Sequence, residues 1–417
     1  MPPEEGERVL LLMTTATYRA SAYMAAAQEM GVRVTVGTDR PDLLAGLNPG
    51  GSITLDYNEP EAGAALISSF ASQFPLDAIA PVDDDTLILG AMAAEALGLP
   101  YHPVEASRTT RSKYELRKVL SEEGLPSPSF RLVSAQEEPE IIAEGLRYPC
   151  VLKPTFLAAS RGVIRANDEA EFADAYRRVG AILEDPETIA RGGAEAEMIL
   201  VEDYLEGIEV AVEGLVVRGE VHILAIFDKP DPLEGPFFEE TIYVTPSRLP
   251  DETQNRIREE TTRAARAIRL REGPLHAELR INDAGEIRVI DVASRSIGGK
   301  CSGALEFGGG ASLECLILSQ ALGVAPPSME REKKASGAMM IPIPGEGVLK
   351  GVEGKDEALA VPGVVEVDIS IHIGGRVVPL PEGERYLGFI FAKGERPEEV
   401  EATLRAAHEK LRFEIGE

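Results

Sequence analysis

The chain has no tryptophan, only three cysteines and five histidines in 417 residues, and too few basic residues to balance its acids: 42 Lys and Arg against 70 Asp and Glu, a net charge of −28. Each shortage excludes something. Cys150, Cys301 and Cys315 are odd in number and far apart, which builds neither a disulfide framework nor a zinc site and fits buried thiols in a reducing cytoplasm. So negative a chain is repelled by nucleic acid and by anionic membranes, so neither is expected as a partner and any anionic ligand must be held by a few local cations. No run approaches the roughly 18 apolar residues that span a bilayer. The opening MPPEEGERVLLLM is acidic with a short apolar stretch, so it reads as a lead into a first strand and not as a secretory signal. There is no internal repeat and no low-complexity tract.

What the chain does have is apolar content, 44% of its residues, in a length that exceeds what one core usually fills, so two or three domains are expected. From Arg8 to about Leu99 the strand-like runs RVLLLM, VRVTVGT and LDAIAPVDD alternate with helical ones, YRASAYMAAAQEMG, Ala62 to Gln73 and Leu87 to Leu97. That alternation predicts a parallel sheet with crossover helices, an N-terminal α/β domain over 1–102. Asp83, Asp84 and Asp85 fall at the carboxyl end of one of its strands, where such sheets place ligands. They read either as a solvated turn or, through Asp84, as a contact for a substrate amine. A single helix, SRTTRSKYELRKVLSEEG, leads out and stops at Gly124 before prolines. Longer strands joined by short turns then predict a mixed α+β domain over 103–328. After the linker-like PPSMEREKKAS comes a third α+β piece, 329–417, whose last helix starts after GERPEEV.

PLHAELRINDAGEIRVIDVAS reads as two strands around a turn of Asn282 to Gly285. With that loop Ile281 pairs with Glu286, Glu278 lies opposite Val289, and His276 opposite Asp291. Side chains alternate faces along a strand and diagonal neighbours share one. Glu278, Asp291, His276, Ala293 and Arg295 therefore converge on one patch holding two carboxylates and a guanidinium. Paired carboxylates suit Mg²⁺, and a one-residue slip would part them; alone, the segment also reads as an exposed hairpin with surface charges.

Lys153 stands where the apolar strand of YPCVLKPTFLAASRGVIRAND meets a small-residue loop containing Ser160 and Gly162, an arrangement that lets backbone N–H groups and an ammonium approach phosphate. Lys113 by itself reads as a solvated helix lysine. MILVEDYLEGIEV carries Glu202, Asp203, Tyr204 and Leu205 into a turn and then Glu209; its backbone could meet an adenine edge and Glu209 a ribose, or it is a plain strand and turn with surface acids. FDKPDPLEGPFFEETIYVTPSRLP is either a loop over an acceptor pocket or a surface excursion.

Taken in order, these four features, a lysine, a lysine with a small-residue loop, an acidic turn and a metal hairpin, resemble the ATP-grasp superfamily over nearly the whole chain. The resemblance implies the ATP-grasp fold: a nucleotide held between two α+β lobes behind an N-terminal parallel-sheet domain. It implies Lys113 and Lys153 on the phosphates of ATP, Ser160 and Gly162 in the flexible loop, Glu202 to Leu205 at adenine, Glu209 at ribose, and Glu278 and Asp291 on Mg²⁺, for which Mn²⁺ can substitute. HAE at His276 to Glu278, DVASR at Asp291 to Arg295, the pair Gly298 and Gly299, and YLGFIFAKGERPEEVEATLRAA are most similar to the L-amino-acid ligases that make dipeptides and to carnosine synthases. Many members of the superfamily carry Glu-x-Asn-x-Arg on the second hairpin strand; here Asp291 and Ala293 replace the first two, and Ala293 is the residue that resembles the amino-acid ligases.

The implied activity is ATP-dependent joining of a carboxylate and an amine through an acyl phosphate, on small-molecule amino-acid substrates. Lys153 and Arg295 are then the catalytic groups, and His276, Arg295, Gly298, Gly299 and Asp84 meet substrate. His276 would orient a substrate carboxylate or amine, or act as a structural histidine bonded to Asp291. A homodimer is also implied. The other readings are a biotin-carboxylase-like or purine-pathway ATP-grasp ligase, and a non-catalytic nucleotide-binding regulator.

Overall fold

The computed structural model describes residues 6–41, 48–326 and 328–416, so the acidic lead of residues 1–5 lies outside it. Arg8–Leu12, with Arg33–Thr38 and Ala78–Pro81 on its two sides and Ser52–Thr54 at the edge, forms a parallel sheet. Val9 and Leu11 pack to one face and Leu10 and Leu12 to the other, all fully buried, which is why this strand reads as a continuous apolar run and not as an alternation. The crossover helix Ala20–Met30 and the helix Leu87–Leu97, which follows the last strand of this sheet, each stop at a glycine with φ of 69°, a conformation that costs glycine nothing. The three-residue edge strand Ser52–Thr54 was not expected; it is too short to show a period.

Two helices, Val104–Arg111 and Lys113–Glu122, replace the single helix expected after this domain. Ser112 between them is extended, and the Lys113 N–H leaves the helix to donate to the Thr155 carbonyl at 2.8 Å. A small antiparallel sheet follows, in the order Phe130–Ser134, Met198–Asp203, Cys150–Pro154, Ile164–Ala166. Helix Glu169–Leu183 covers it with Phe172, Tyr176 and Val179. We call this lobe the lid.

The largest sheet among the described residues has eight antiparallel strands, in the order Ile287–Ala293, Gly273–Ile281, Ile208–Val217, Glu220–Asp228, Ile242–Thr245, Ala335–Ile341, Gly388–Gly394, Val364–Ile369. The last three belong to the piece expected to follow the linker. They continue the same sheet, because Ile242–Thr245 pairs directly with Ser336 to Met339. Helix Pro397–His408 lies against them and starts inside GERPEEV, with proline in its first turn, slightly earlier than expected. Arg376–Val377, Gly347–Glu353 and Arg412–Gly416 form a separate small sheet.

The hairpin register differs from the expected one. Ile281 faces Ile287, and an irregularity between Glu278 and Leu279 leaves Ile290 unpaired, so that Glu278 sits directly opposite Asp291 and His276 opposite Ala293. Two local causes are visible. The Asn282 side chain accepts from the Glu286 N–H at 2.9 Å and draws that residue into the turn. The Ile290 carbonyl turns out of the ladder to accept from the buried Arg117 guanidinium, which is the local kink a bulge produces.

Candidate active site

A cleft of about 1050 Å³ opens between the carboxyl ends of the parallel strands, the lid and the central sheet, and every residue singled out from the sequence except Gly162 lines it. The lid wall is built on buried charge. Lys153, 6% exposed, is 2.5 Å from Glu202, whose other oxygen is 2.6 Å from the fully buried Arg117. Burial pushes the Lys153 ammonium down from its usual range, and Glu202 offsets this in part. The Glu202 carboxylate faces lysine and arginine, so it holds Lys153 in place, and only the backbone of this stretch is left to meet an adenine edge. Tyr204 is half-buried, with the Arg165 guanidinium 4.1 Å from its ring centre and Phe238 6.4 Å away. The Leu205 carbonyl is taken by Arg280 at 2.6 Å.

Lys113 is not a solvated helix lysine. The break at Ser112 places it in the first helical turn, where its ammonium donates to the Leu157 carbonyl at 2.7 Å and stands 3.9 Å from Asp291. Leu157 opens the small-residue loop. In that loop Ala159 and Ser160 have φ of 53° and 55° and Gly162 has 73°, so the chain curls through left-handed conformations that non-glycine residues rarely adopt. Gly162 itself is turned away from the cleft and gives its N–H to the Pro381 carbonyl at 2.8 Å. Its role is in the loop's shape: a Cβ there would come within 2.8 Å of Pro154.

On the central sheet three glutamates close on one lysine that the sequence reading missed. Lys229 follows strand Glu220–Asp228, is 8% exposed, and lies 2.7 Å from Glu209 and 2.8 Å from Glu278, with Glu240 also bonded to it. Arg280 takes the second Glu209 oxygen at 3.0 Å. So Glu209, expected at a ribose, has one oxygen on Lys229 and the other on Arg280. Burial pushes the Glu240 carboxyl up, and Glu278 adds to it; burial works against the Lys229 charge too, but the three glutamates outweigh it. The only signal in the sequence was a lysine between a strand end and Pro-Asp-Pro, which also describes a surface loop.

His276 does not meet Asp291. Its Nδ1 is 3.1 Å from Glu213, a fully buried acid also missed, and its Nε2 is 3.8 Å from Glu278. Burial opposes its charge, but the two glutamates win and raise the imidazole to about 9. Glu213 also accepts the Ile297 N–H at 3.0 Å, fixing the backbone just before Gly298 and Gly299. Gly298 is open on its Cβ side, whereas a Cβ on Gly299 would come within 2.9 Å of Phe389. The nearby wall is uncharged, made of Tyr243, Met340, Cys301 and Tyr386.

The aspartate turn is not a simple solvated turn, since all three carboxylates are paired with arginines from different elements. Asp83 meets Arg19 at 3.2 Å, Asp84 meets Arg295 at 2.8 Å, and Asp85 meets Arg191 at 3.2 Å as well as Arg111. Burial alone would raise the Asp84 carboxyl, but Arg295 and Arg111 hold it well below the usual carboxylate range. Asp84 thus aims Arg295.

Whether the residues fit a divalent cation follows from their chemistry. Glu209, Glu240 and Glu278 present carboxylate oxygens within 4.8 Å of one another, and Asp291 faces Glu278 across the ladder. Such hard oxygen donors suit Mg²⁺, which takes one or two carboxylates and fills its shell from phosphate and water.

Comparison with known proteins agrees with this geometry. Residues 24–101 match the ATP-grasp N-terminal domain, 146–304 the ATP-grasp domain and 339–416 the L-amino acid ligase C-terminal domain 2. The chain is 30% identical over 256 residues to an alanine–anticapsin ligase of Bacillus subtilis, an alignment covering 58% of this chain and 53% of that protein. It is 30% identical over 193 residues to a D-alanine–D-alanine ligase of Delftia acidovorans, covering 44% and 55%. The chain therefore spans about half the length of the curated relatives it matches. Among solved structures, an L-amino acid ligase from Bacillus licheniformis superposes with a TM-score of 0.83 at 27% identity, over 99% of this chain and 100% of that one. A phosphoribosylglycinamide synthetase from Anaerococcus prevotii, at 18% identity and a TM-score of 0.70, shares the fold.

Proposed function

We propose that this chain, which belongs to the ATP-grasp superfamily and is most like its L-amino-acid ligases, joins the carboxylate of one amino acid to the amine of another at the expense of ATP. The observation that carries the reading is the pair Glu278 and Asp291, opposite each other in one cleft that Lys113, Lys153 and Arg295 also line. Phosphoryl transfer needs little covalent help from a protein; it needs positioning and positive charge around the transferred group. When bound, Mg²⁺ or Mn²⁺ neutralises phosphate oxygens, and Glu278 and Asp291 would hold it with Glu240 and Glu209 beside them.

In this reading Lys153, aimed by Glu202, and Lys113, tied to the loop carbonyl of Leu157, meet the phosphates beneath the loop that carries Ser160. Asp203, Tyr204 and Leu205 border the adenine, and Glu209 the ribose. Arg295, fixed by Asp84, receives the substrate carboxylate and the acyl phosphate made from it. His276, charged and held by Glu213, supports Glu278 and the substrate end of the cleft, and Gly298 and Gly299 leave room for the substrate backbone. A carboxylate oxygen attacks the terminal phosphorus and ADP departs; the amine then attacks the acyl carbon and phosphate departs. The uncharged wall of Tyr243, Met340 and Tyr386 suits apolar substrate side chains. No described helix is long and apolar enough to cross a membrane, and the free, buried cysteines suit the cytoplasm.

The test is a matrix of amino-acid pairs with Mg-ATP, read by phosphate release and product mass. The reading predicts phosphate that depends on particular pairs and a product weighing the sum of the two less one water. Phosphate triggered by bicarbonate instead, or ATP binding without turnover on any pair, would contradict it in favour of a different ligase or of a regulator.

A further inference from the structure

The loop from Leu157 to Gly162 is held in its left-handed curl from outside the cleft. Pro381 accepts the Gly162 N–H at 2.8 Å, and the Glu382 carbonyl accepts from Arg161 Nε at 3.0 Å. The same turn meets the rest of the lid through side chains. Arg178, on helix Glu169–Leu183, forms a two-pronged pair with Glu382, Nε to Oε1 at 2.5 Å and Nη2 to Oε2 at 2.9 Å. Arg191, on helix Pro186–Gly192, meets Glu384 at 3.2 Å and Asp85 at 3.2 Å, so it ties the C-terminal turn, the lid and the N-terminal sheet to one point. Arg161 is a further 3.7 Å from Glu384. The turn is rigid in its own right: the Gly383 N–H donates to Pro379 at 2.8 Å, and a Cβ on Gly383 would run into the Val378 carbonyl at 1.9 Å.

A curl with two consecutive non-glycine residues at positive φ persists only where its surroundings hold it. The lid offers Arg178, Arg161 and Arg191 to acidic partners some 190 to 220 residues further along the chain. We propose that the turn Pro381–Glu384 is a latch that positions the small-residue loop: it closes the lid's phosphate end against the C-terminal part of the central sheet, so ATP affinity depends on an ion pair outside the nucleotide cavity. Glu382 and Arg178 are then positioning residues that touch neither nucleotide nor substrate. The latch rests on the proposed function in one respect, the placement of the phosphates beneath Ser160.

The experiment uses the full chain and the variants Arg178→Glu, Glu382→Arg and the double charge swap. Mg-ATP affinity is measured by calorimetry, and hydrogen exchange is followed over residues 158–164. Half-exposed ion pairs contribute modestly, so each single variant is expected to weaken Mg-ATP binding about fivefold and to speed exchange in that loop while the rest of the lid keeps its protection. The swap is expected to restore both, and high salt to narrow the gap between wild type and singles. Single variants that bind Mg-ATP like wild type, or a swap that restores neither affinity nor protection, would overturn the latch. If the wild-type chain binds no Mg-ATP, the functional reading fails; loop exchange unchanged in the singles then rejects the latch as well, and faster exchange restored by the swap upholds it.

Discussion

Lys153 is aimed before any ligand arrives, because Glu202 holds it at 2.5 Å and is itself held by Arg117 at 2.6 Å. Replacing Lys153 by Ala, or Glu278 by Ala, is therefore expected to lower turnover at least about 100-fold. Folding should survive, since Glu202 keeps Arg117 and Lys229 keeps two glutamates; turnover assays with melting curves check both parts. Arg117→Met should behave in the opposite way. It removes the fully buried guanidinium that holds both Glu202 and the Ile290 carbonyl, and should cost roughly 3 kcal/mol in denaturant unfolding. The Asp84–Arg295 pair adds an acid dependence. The Asp84 carboxyl is depressed in the folded protein, so the stability it contributes is present above pH ~4 and is lost as pH falls below that. Asp84→Asn should flatten the fall in melting temperature between pH 5 and about 3; a slope equal to wild type would show that the pair does not form. Glu278, Asp291 and Lys153 could be singled out from sequence because each is marked by its own strand or hairpin. Arg117, Lys229 and Glu240 could not, because their roles come from partners up to 173 residues away, and a single sequence carries no such distances.

Three local elements decide the site's shape, and they were legible to different degrees. The hairpin was recognisable from alternation around Asn-Asp-Ala-Gly, yet its register was not: the turn captured Glu286 and Ile290 dropped out of the ladder. The two shifts together bring Glu278 and Asp291 face to face, where the regular ladder would have set them on a diagonal. The break at Ser112 had no helix-breaking residue to announce it; it exists because the Lys113 N–H finds Thr155 in another lobe. The small-residue loop was visible as composition, but the direction in which Gly162 faces was not. Gly162→Ala should be costly on two counts, a φ of 73° and a Cβ pressed to 2.8 Å from Pro154. A loss of about 1–2 kcal/mol in stability and a weaker affinity for Mg-ATP are expected, measured by denaturant titration and calorimetry; an alanine variant with wild-type affinity would show that the loop's curl does not matter for the nucleotide.

At the scale of the molecule, the class of the N-terminal sheet followed from strand and helix alternation, because a buried parallel sheet imposes that rhythm on sequence. The eight-stranded sheet did not, because its order links strands from both sides of a linker-like segment. The aspartate turn then shows how the site draws on distant parts of the chain: Asp83, Asp84 and Asp85 reach Arg19 in the N-terminal domain, Arg295 at the end of the hairpin and Arg191 in the lid. If the proposed function holds, this cleft activates a carboxylate as an acyl phosphate and hands it to an amine. The most direct measurement uses a donor amino acid labelled with ¹⁸O in both carboxyl oxygens, Mg-ATP and an acceptor, with the released phosphate examined by mass. One ¹⁸O is expected in each phosphate and one left in the new amide. Unlabelled phosphate, or AMP and pyrophosphate in place of ADP and phosphate, would contradict it.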